Sequence, residues 1–310
     1  MVIADHYRFS FDSLACAAAQ PNRLLTTSAA VGWTSLLVDL LEGQGRSDTF
    51  ETSSTPDLTL VVAMNGRHHV EVFSDTRWRP AVYQPGAAGL TPPNERTRLR
   101  WREFDAGEKF RTAHLYLPHT LIEDAAEHYR RVGQPRDNGP ESTLVFSDAA
   151  TSHVVRSLLK AMQIGAPDLY AEQVGRWLAV HLLWRHRAGS NASEDRRNPG
   201  LITDRRLARV LEFMSSRLDA PLTARELAKE AGISVHQFTR CFRQQIGSTP
   251  LAMLTSMRMD YAWRLLGTTD LPVSQIARLC GYTRPAAFAV AFSRQFKASP
   301  THLRSSRGRP

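Results

Sequence analysis

Apolar residues recur every three or four positions through the carboxy-terminal part of the chain, and they do so in two successive copies of one pattern. Leu222-Thr-Ala-Arg-Glu-Leu-Ala-Lys-Glu-Ala-Gly232 aligns with Leu271-Pro-Val-Ser-Gln-Ile-Ala-Arg-Leu-Cys-Gly281, and after a one-residue slip Phe238, Phe242 and Pro250 fall on Phe288, Phe292 and Pro300. This spacing predicts a helix, a glycine turn and a second helix in each copy. Thr223 with Glu226, and Ser234 with Gln237, have the capping-box spacing that satisfies the first free amides of a helix. Phe238 and Phe242 lie four apart and point inward together, which leaves Val235, His236, Thr239, Arg240 and Arg243 outward.

Two helices joined by a tight turn are the sequence form of a helix-turn-helix, whose second helix enters a DNA major groove. The charge distribution agrees. Residues 201–310 carry 17 Lys+Arg against 7 Asp+Glu, a net +10, whereas residues 1–200 carry 22 against 23. A basic excess confined to one segment is the electrostatic footprint of a polyanionic partner.

Upstream the period changes from helical to alternating. Segments 33–41, 58–63, 67–73, 78–83, 98–102 and 113–117 read as short strands, and Asn65-Gly66 between two of them predicts a hairpin turn. So many short strands predict a small antiparallel barrel or sandwich. Helical patterns follow at 121–129, 152–162 and 169–187, the last with Val174, Trp177, Leu178, His181 and Leu182 along one stripe, widened by Leu183 and Trp184. Residues 188–200 are polar, rich in turn formers and free of large apolar side chains, as an interdomain linker should be. The expected organisation is a sensor and dimerisation domain at 1–187 with helices within 119–187, a linker at 188–200, and a DNA-binding domain at 201–310. Within the last, the expected spans are about 223–245 for the first unit, 250–266 for a connecting helix and 272–297 for the second unit.

From about Arg206 to Arg304 the chain resembles the DNA-binding domain of the AraC/XylS family of transcription regulators. The matching residues include Pro221-Leu-Thr-Ala-Arg-Glu-Leu-Ala228, Ala231-Gly232-Ile-Ser234, Gly247-Ser-Thr-Pro250, Arg258, Ala262, Leu265 and Leu266, then Ile276-Ala277, Gly281-Tyr282, Ala287-Phe288 and Pro300. The resemblance implies that one protomer carries both units on a long helix, with their reading helices roughly 34 Å apart on one face of the duplex. It implies base contacts from His236, Thr239 and Arg240, with Arg240 able to take the two acceptors of a guanine edge. The alternative for Arg240 is a phosphate contact or a pair with Gln244.

The second copy departs from that pattern: Val290 replaces a polar residue, Arg284 a serine cap and Lys297 a glycine. Ala286, Ala289 and Val290 can touch thymine methyl groups but offer a base edge no hydrogen bond. The first unit is therefore expected to specify sequence. The second is expected to anchor, with Arg284, Arg294, Lys297 and Arg304 on phosphates. Arg243 joins this phosphate set, with packing as the alternative role; Arg258 reads as a phosphate or packing residue.

The strand region resembles the cupin-type barrel that such regulators carry, with Gln84-Pro-Gly86 and Leu90-Thr-Pro-Pro93 as its turn pair. The expected fold class is α+β: an amino-terminal antiparallel cupin-like β-barrel with flanking helices, then an all-α domain with two helix-turn-helix units. By the same resemblance the helices after the barrel pair two protomers; the stripe then predicts a homodimer built on Trp177, Leu178 and His181, with packing solely on its own domain as the alternative.

An enzymatic barrel would need a ligand set. Metal-binding cupins use His-x-His, which occurs nowhere in this chain, and His68 and His69 are adjacent, so they face opposite ways on a strand. His69, Glu71 and His114 are the remaining candidate ligands, against ordinary strand histidines as the simpler reading. There is no phosphate-binding glycine loop and no Gly-x-Ser-x-Gly elbow. No catalytic residue, metal or cofactor is assigned. Arg98, Arg100 and Arg102 alternate with Leu99 and Trp101, so they are expected outside the barrel. The cysteines Cys16, Cys241 and Cys280 are too dispersed for a pair, there is no secretory leader pattern, and no apolar run approaches the ~20 residues of a membrane span, which together suit a reduced cytoplasm.

The expectation is a cytoplasmic, sequence-specific transcription regulator, an activator under a small-molecule effector held in the barrel, with double-stranded DNA and RNA polymerase as partners. The alternatives are a cupin-type enzyme tethered to DNA and a regulator switched by a protein partner.

Overall fold

The computed structural model describes residues 8–43, 45–74, 77–103, 109–131, 141–190 and 204–306. The chain divides into two compact units, Met1–Arg197 and Asn198–Pro310.

The described part of the first unit opens with helix α1 (Phe11–Ala18) and continues through strands β1 (Arg23–Thr27), β2 (Leu37–Glu42), β3 (Phe50–Glu51), β4 (Leu58–Asn65) and β5 (His68–Ser74). Then come β6 (Arg77–Tyr83), β7 (Ala87–Thr91), β8 (Arg98–Glu103), β9 (Arg111–Leu117), helix α2 (His119–Arg131), β10 (Thr143–Ser147), and helices α3 (Ala149–Gln163) and α4 (Asp168–Ser190). The strands form two sheets, ordered β1-β2-β9-β4-β7-β10 and β3-β8-β5-β6, and every pairing is antiparallel.

Alternation along the strands decides what each sheet face covers. Leu58, Leu60 and Val62 of β4 and Ala113, Leu115 and Leu117 of β9 join one core with Leu121, Leu158, Leu178 and Leu182 of the helices. The intervening positions turn the other way, where Ala63, Ala87 and Phe110 meet Val70, Tyr83 and Trp101 from the second sheet in a second core. The larger sheet thus lies between a helical layer and the smaller sheet. Asp168 fixes the start of α4 to the approach to β2, accepting from the Thr34 and Ser35 amides and from both hydroxyls at 2.7–3.1 Å.

Several expectations meet corrections. Asn65-Gly66 is not a hairpin turn: β4 pairs with β7 and β9, β5 pairs with β6 and β8, and the dipeptide carries the chain from one sheet to the other. Strands β1, β3, β7 and β10 and helix α1 were not expected. Backbone helix continues to Ser190, into the segment read as linker, and the rest of that segment lies outside the described residues. Leu178 is fully buried in the core of its own unit, so it has no surface for a second protomer. His181 is mostly covered, its Nε2 2.7 Å from Asp148 Oδ2 and its ring stacked on Trp177 with centroids 4.5 Å apart. Of the three residues expected to pair protomers, Trp177 alone presents substantial area, at 41% exposure, beside Trp184 at 55%.

The described part of the second unit is all helical: α5 (Asp204–Ser215), α6 (Ala224–Ala231), α7 (Val235–Ile246), α8 (Pro250–Thr268), α9 (Val273–Leu279), α10 (Pro285–Phe296) and α11 (Pro300–Ser306). Its apolar residues are buried in both copies. Phe238 and Phe242 are buried in the first copy, and Phe288 and Phe292 pack with Met259, Ala262, Leu266 and Ile276 in the second.

Candidate nucleic-acid interface and interior cavity

Local chemistry sets each reading helix. The capping box at the start of α6 is complete: the Glu226 amide donates to Thr223 Oγ1 at 3.3 Å, and the Thr223 amide donates to Glu226 Oε2 at 2.8 Å. Gly232 then turns the chain in the left-handed region at φ +69°, and Ser234 Oγ accepts from the Gln237 amide to start α7. In the second copy Gly281 makes the same turn at φ +76°, but Arg284 lends α10 no side-chain cap, and Pro285 at its first position supplies the helical φ instead.

With Phe238 and Phe242 turned inward, α7 presents His236, Arg240 and Arg243 exposed and Thr239 half-buried. Their spacing puts all four on one stripe. In α10 the corresponding stripe is Ala286, Ala289 and Val290, with Val290 69% exposed, and it ends in Ser293 at the position equivalent to Arg243. Ser293, half-buried, puts a hydroxyl just beyond the stretch 285–292, which offers a base edge no donor. Arg284, Arg294 and Lys297 are exposed around the ends of α10. Lys297 ends that helix at φ +56°, where Gly247 ends α7 at φ +78°.

Arg304 and Arg258 face inward. Arg304 is half-buried and its Nη1 donates to the Leu271 carbonyl, so its guanidinium ties α11 to the start of the second copy. Arg258 of α8 donates from Nε to the Leu218 carbonyl at 2.9 Å and from Nη2 to the Ala220 carbonyl at 2.5 Å. A Cβ on Gly281 would stand 2.6 Å from Arg258 Nη2 and 2.7 Å from the Leu218 oxygen. Arg258 therefore clamps the loop before α6 against the turn after α9, and glycine at 281 is what permits the approach. Burial lowers the Arg258 pKa. The two copies are fixed to each other through this contact and through Gln295, whose Nε2 reaches Ser256 and Asp260 of α8 at 3.4 Å.

The first unit holds a cavity of about 230 Å³ between its two sheets. Leu99 and Trp101 line it. Arg98 and Arg100 lie on the opposite face of β8, against Phe73 and Trp78, and Arg100 pairs with Glu71 at 2.7 Å. The candidate metal ligands are not brought together, since His114 lines the cavity while alternation puts His69 and Glu71 on the other side of their sheet. Among the described residues no group of three His, Cys, Asp or Glu side chains is placed to hold a metal ion. Cys16, Cys241 and Cys280 are buried and in no disulfide, and burial pushes the Cys280 thiol up to about 12. No helix among the described residues is long and apolar enough to cross a membrane.

A family model described as a helix-turn-helix domain matches residues 227–306. The transcriptional regulator CdhR of Pseudomonas aeruginosa is 34% identical over 104 residues, covering 34% of this chain and 31% of that protein. The regulator AlkR of Acinetobacter baylyi is 37% identical over 98 residues, covering 32% of each. A solved AraC-type transcriptional regulator structure from Chromobacterium violaceum aligns at 26% identity and TM-score 0.33, covering 34% of this chain and 95% of that one. The chain thus spans about a third of the length of the curated relatives it matches. The match falls on the residues that build the paired reading helices, where the carboxy-terminal unit is similar to the helix-turn-helix domains of transcriptional regulators.

Proposed function

We propose that the chain is a sequence-specific, DNA-binding transcription regulator. In this reading α7 specifies sequence through His236, Thr239 and Arg240, while α10 anchors through Arg284, Arg294 and Lys297 and lends weak apolar contacts from Ala286, Ala289 and Val290. Arg243 serves a phosphate. Arg304 leaves the phosphate set because its guanidinium is engaged inside the domain. The cavity of the β-domain takes a small-molecule effector, and transcription responds through contact with RNA polymerase in the cytoplasm. A homodimer would use Trp177 and Trp184 in place of Leu178.

The observation that carries this reading is the stripe His236, Thr239, Arg240 and Arg243. It stands clear of the core on a capped helix, in a unit of net charge +10. Selecting duplexes from a random pool with the full chain and then titrating salt tests it. A defined half-site that loses its preference at one base pair in Arg240→Ala is expected, with log affinity falling linearly in log salt. Affinity indifferent to sequence and to salt would refute the reading.

A further inference from the structure

The cavity between the sheets is lined by apolar and polar side chains from both. The smaller sheet contributes Phe50, Val70, Val72, Leu99 and Trp101, with Phe50 and Trp101 meeting edge to face at 5.4 Å. The larger sheet contributes Val61, Leu90 and Tyr116 beside Thr59, Thr112 and His114. At about 230 Å³ the space is below the roughly 300–1,000 Å³ of pockets for drug-sized ligands. Its two charged lining residues, Arg79 and Glu95, are of opposite sign, so the lining favours no ionic ligand by net charge.

His114 narrows the chemistry. It is more than nine-tenths buried; its Nε2 lies 3.1 Å from Thr112 Oγ1, and its Nδ1 has no hydrogen-bond partner among the described residues. Burial lowers its pKa to about 4, so the imidazole is neutral near pH 7, with one nitrogen a donor and the other an acceptor. The Thr112 hydroxyl can serve either tautomer. A hydroxyl on the ligand can likewise meet Nδ1 in either tautomer, whereas a carbonyl meets one. A carboxylate would bury its charge against a neutral ring.

We propose that this cavity binds a compact, uncharged aromatic alcohol or phenol, its ring on the Trp101 wall and its hydroxyl hydrogen-bonded to His114 Nδ1. The inference deepens the reading of the cavity as an effector site and rests on it.

The test uses the full chain and three probes of one shape: 2-naphthol, naphthalene and 2-naphthoate, with binding followed by calorimetry. Saturable binding of 2-naphthol is expected, with naphthalene and 2-naphthoate each at least tenfold weaker. His114→Phe should bring 2-naphthol down to the affinity of naphthalene. The ligand series on the unaltered protein decides the matter even if that variant does not fold, and the His114 ring-nitrogen shifts should move with 2-naphthol and not with naphthalene. No saturable binding of 2-naphthol up to about 1 mM, equal binding of naphthalene, or tightest binding of 2-naphthoate would overturn the proposal. Affinity for a selected duplex is measured with and without 2-naphthol. Binding of the probe with no change in duplex affinity would leave the ligand class standing and remove the effector reading.

Discussion

Replacing Lys297 by glycine should make the DNA-binding unit more stable and its grip on DNA weaker. Lys297 ends α10 at φ +56°, a left-handed conformation that costs a residue with a Cβ about 1–2 kcal/mol. Glycine removes that cost but loses about 0.5–1 kcal/mol through its greater freedom in the unfolded chain. The balance is about 0.5–1 kcal/mol in favour of the variant, or a rise of roughly 2–8 °C in Tm for a domain of this size. A fragment of residues 201–310 gives a clean reading, because its one tryptophan, Trp263, packs in a tilted contact on Phe296 beside the substituted residue, with centroids 4.5 Å apart. If Lys297 touches a phosphate, the slope of log affinity against log salt should fall by about one in the same variant. Lys297→Ala separates the two effects, since it keeps the backbone strain and loses the charge: Tm unchanged, slope reduced. An unaltered or lower Tm in Lys297→Gly would refute the strain assignment, and an unaltered slope would take Lys297 out of the phosphate set.

Three further outcomes are expected. Arg240→Ala should cost roughly 1–3 kcal/mol at one base pair and relax the preference there, read by competition among single-base variants of a selected duplex; a uniform loss across all of them would make Arg240 a phosphate contact. Gly232→Ala and Gly281→Ala both place a side chain at positive φ, but a Cβ at 232 meets open space whereas one at 281 strikes Arg258 and the Leu218 carbonyl. Chemical denaturation should find the second variant less stable than the first by roughly a further 1–3 kcal/mol, and equal losses would refute the clamp. The folded β-domain holds His114 at about 4 against 6.5 for the free side chain, so its contribution to stability is full above pH 6.5 and is lost as pH falls towards 4. That shift corresponds to about 3 kcal/mol. His114→Phe should flatten this slope in urea titrations between pH 4 and 7 without abolishing it, because burial and the charge of Arg102 also hold His69 well below its ordinary value.

What the sequence revealed depended on how local the determining physics was. The reading helices were legible because their caps, glycine turns and Phe pairs all act within a dozen residues, and the structure forms them where those signals stand. In the β-domain, alternation along β8 placed Leu99 and Trp101 inward and the arginines outward, again from neighbours alone. Pairing is a non-local matter, and there local signals misled. Asn65-Gly66 has hairpin chemistry, yet β4 finds better partners in β7 and β9. The short segments β1, β3 and β10 gain their strand character from the sheet edges they join. Leu178 showed the same limit: its stripe was visible, but only the contacts of α4 reveal that its own domain already covers that face.

The difference between the two reading helices follows from where each copy places its strain and its polar groups. The first copy has a complete capping box, a glycine C-cap and a polar exposed stripe. The second lacks side-chain caps on both helices, carries a non-glycine residue in the left-handed C-cap, and exposes alanine and valine. Weak readout at α10 would serve little if the copies moved independently, because an anchor that slides cannot set register for a reader. Arg258 addresses this by holding the Leu218–Ala220 loop of the first copy beside Gly281 of the second, while Gln295 ties α10 to α8. A rigid pair lets phosphate contacts made at α10 determine where Arg240 meets the base edges. Arg258→Ala should therefore blur the preferred spacing between the selected half-sites before it weakens the preference within the α7 half-site. A sharp spacing preference retained in that variant would show that α8 alone sets the distance.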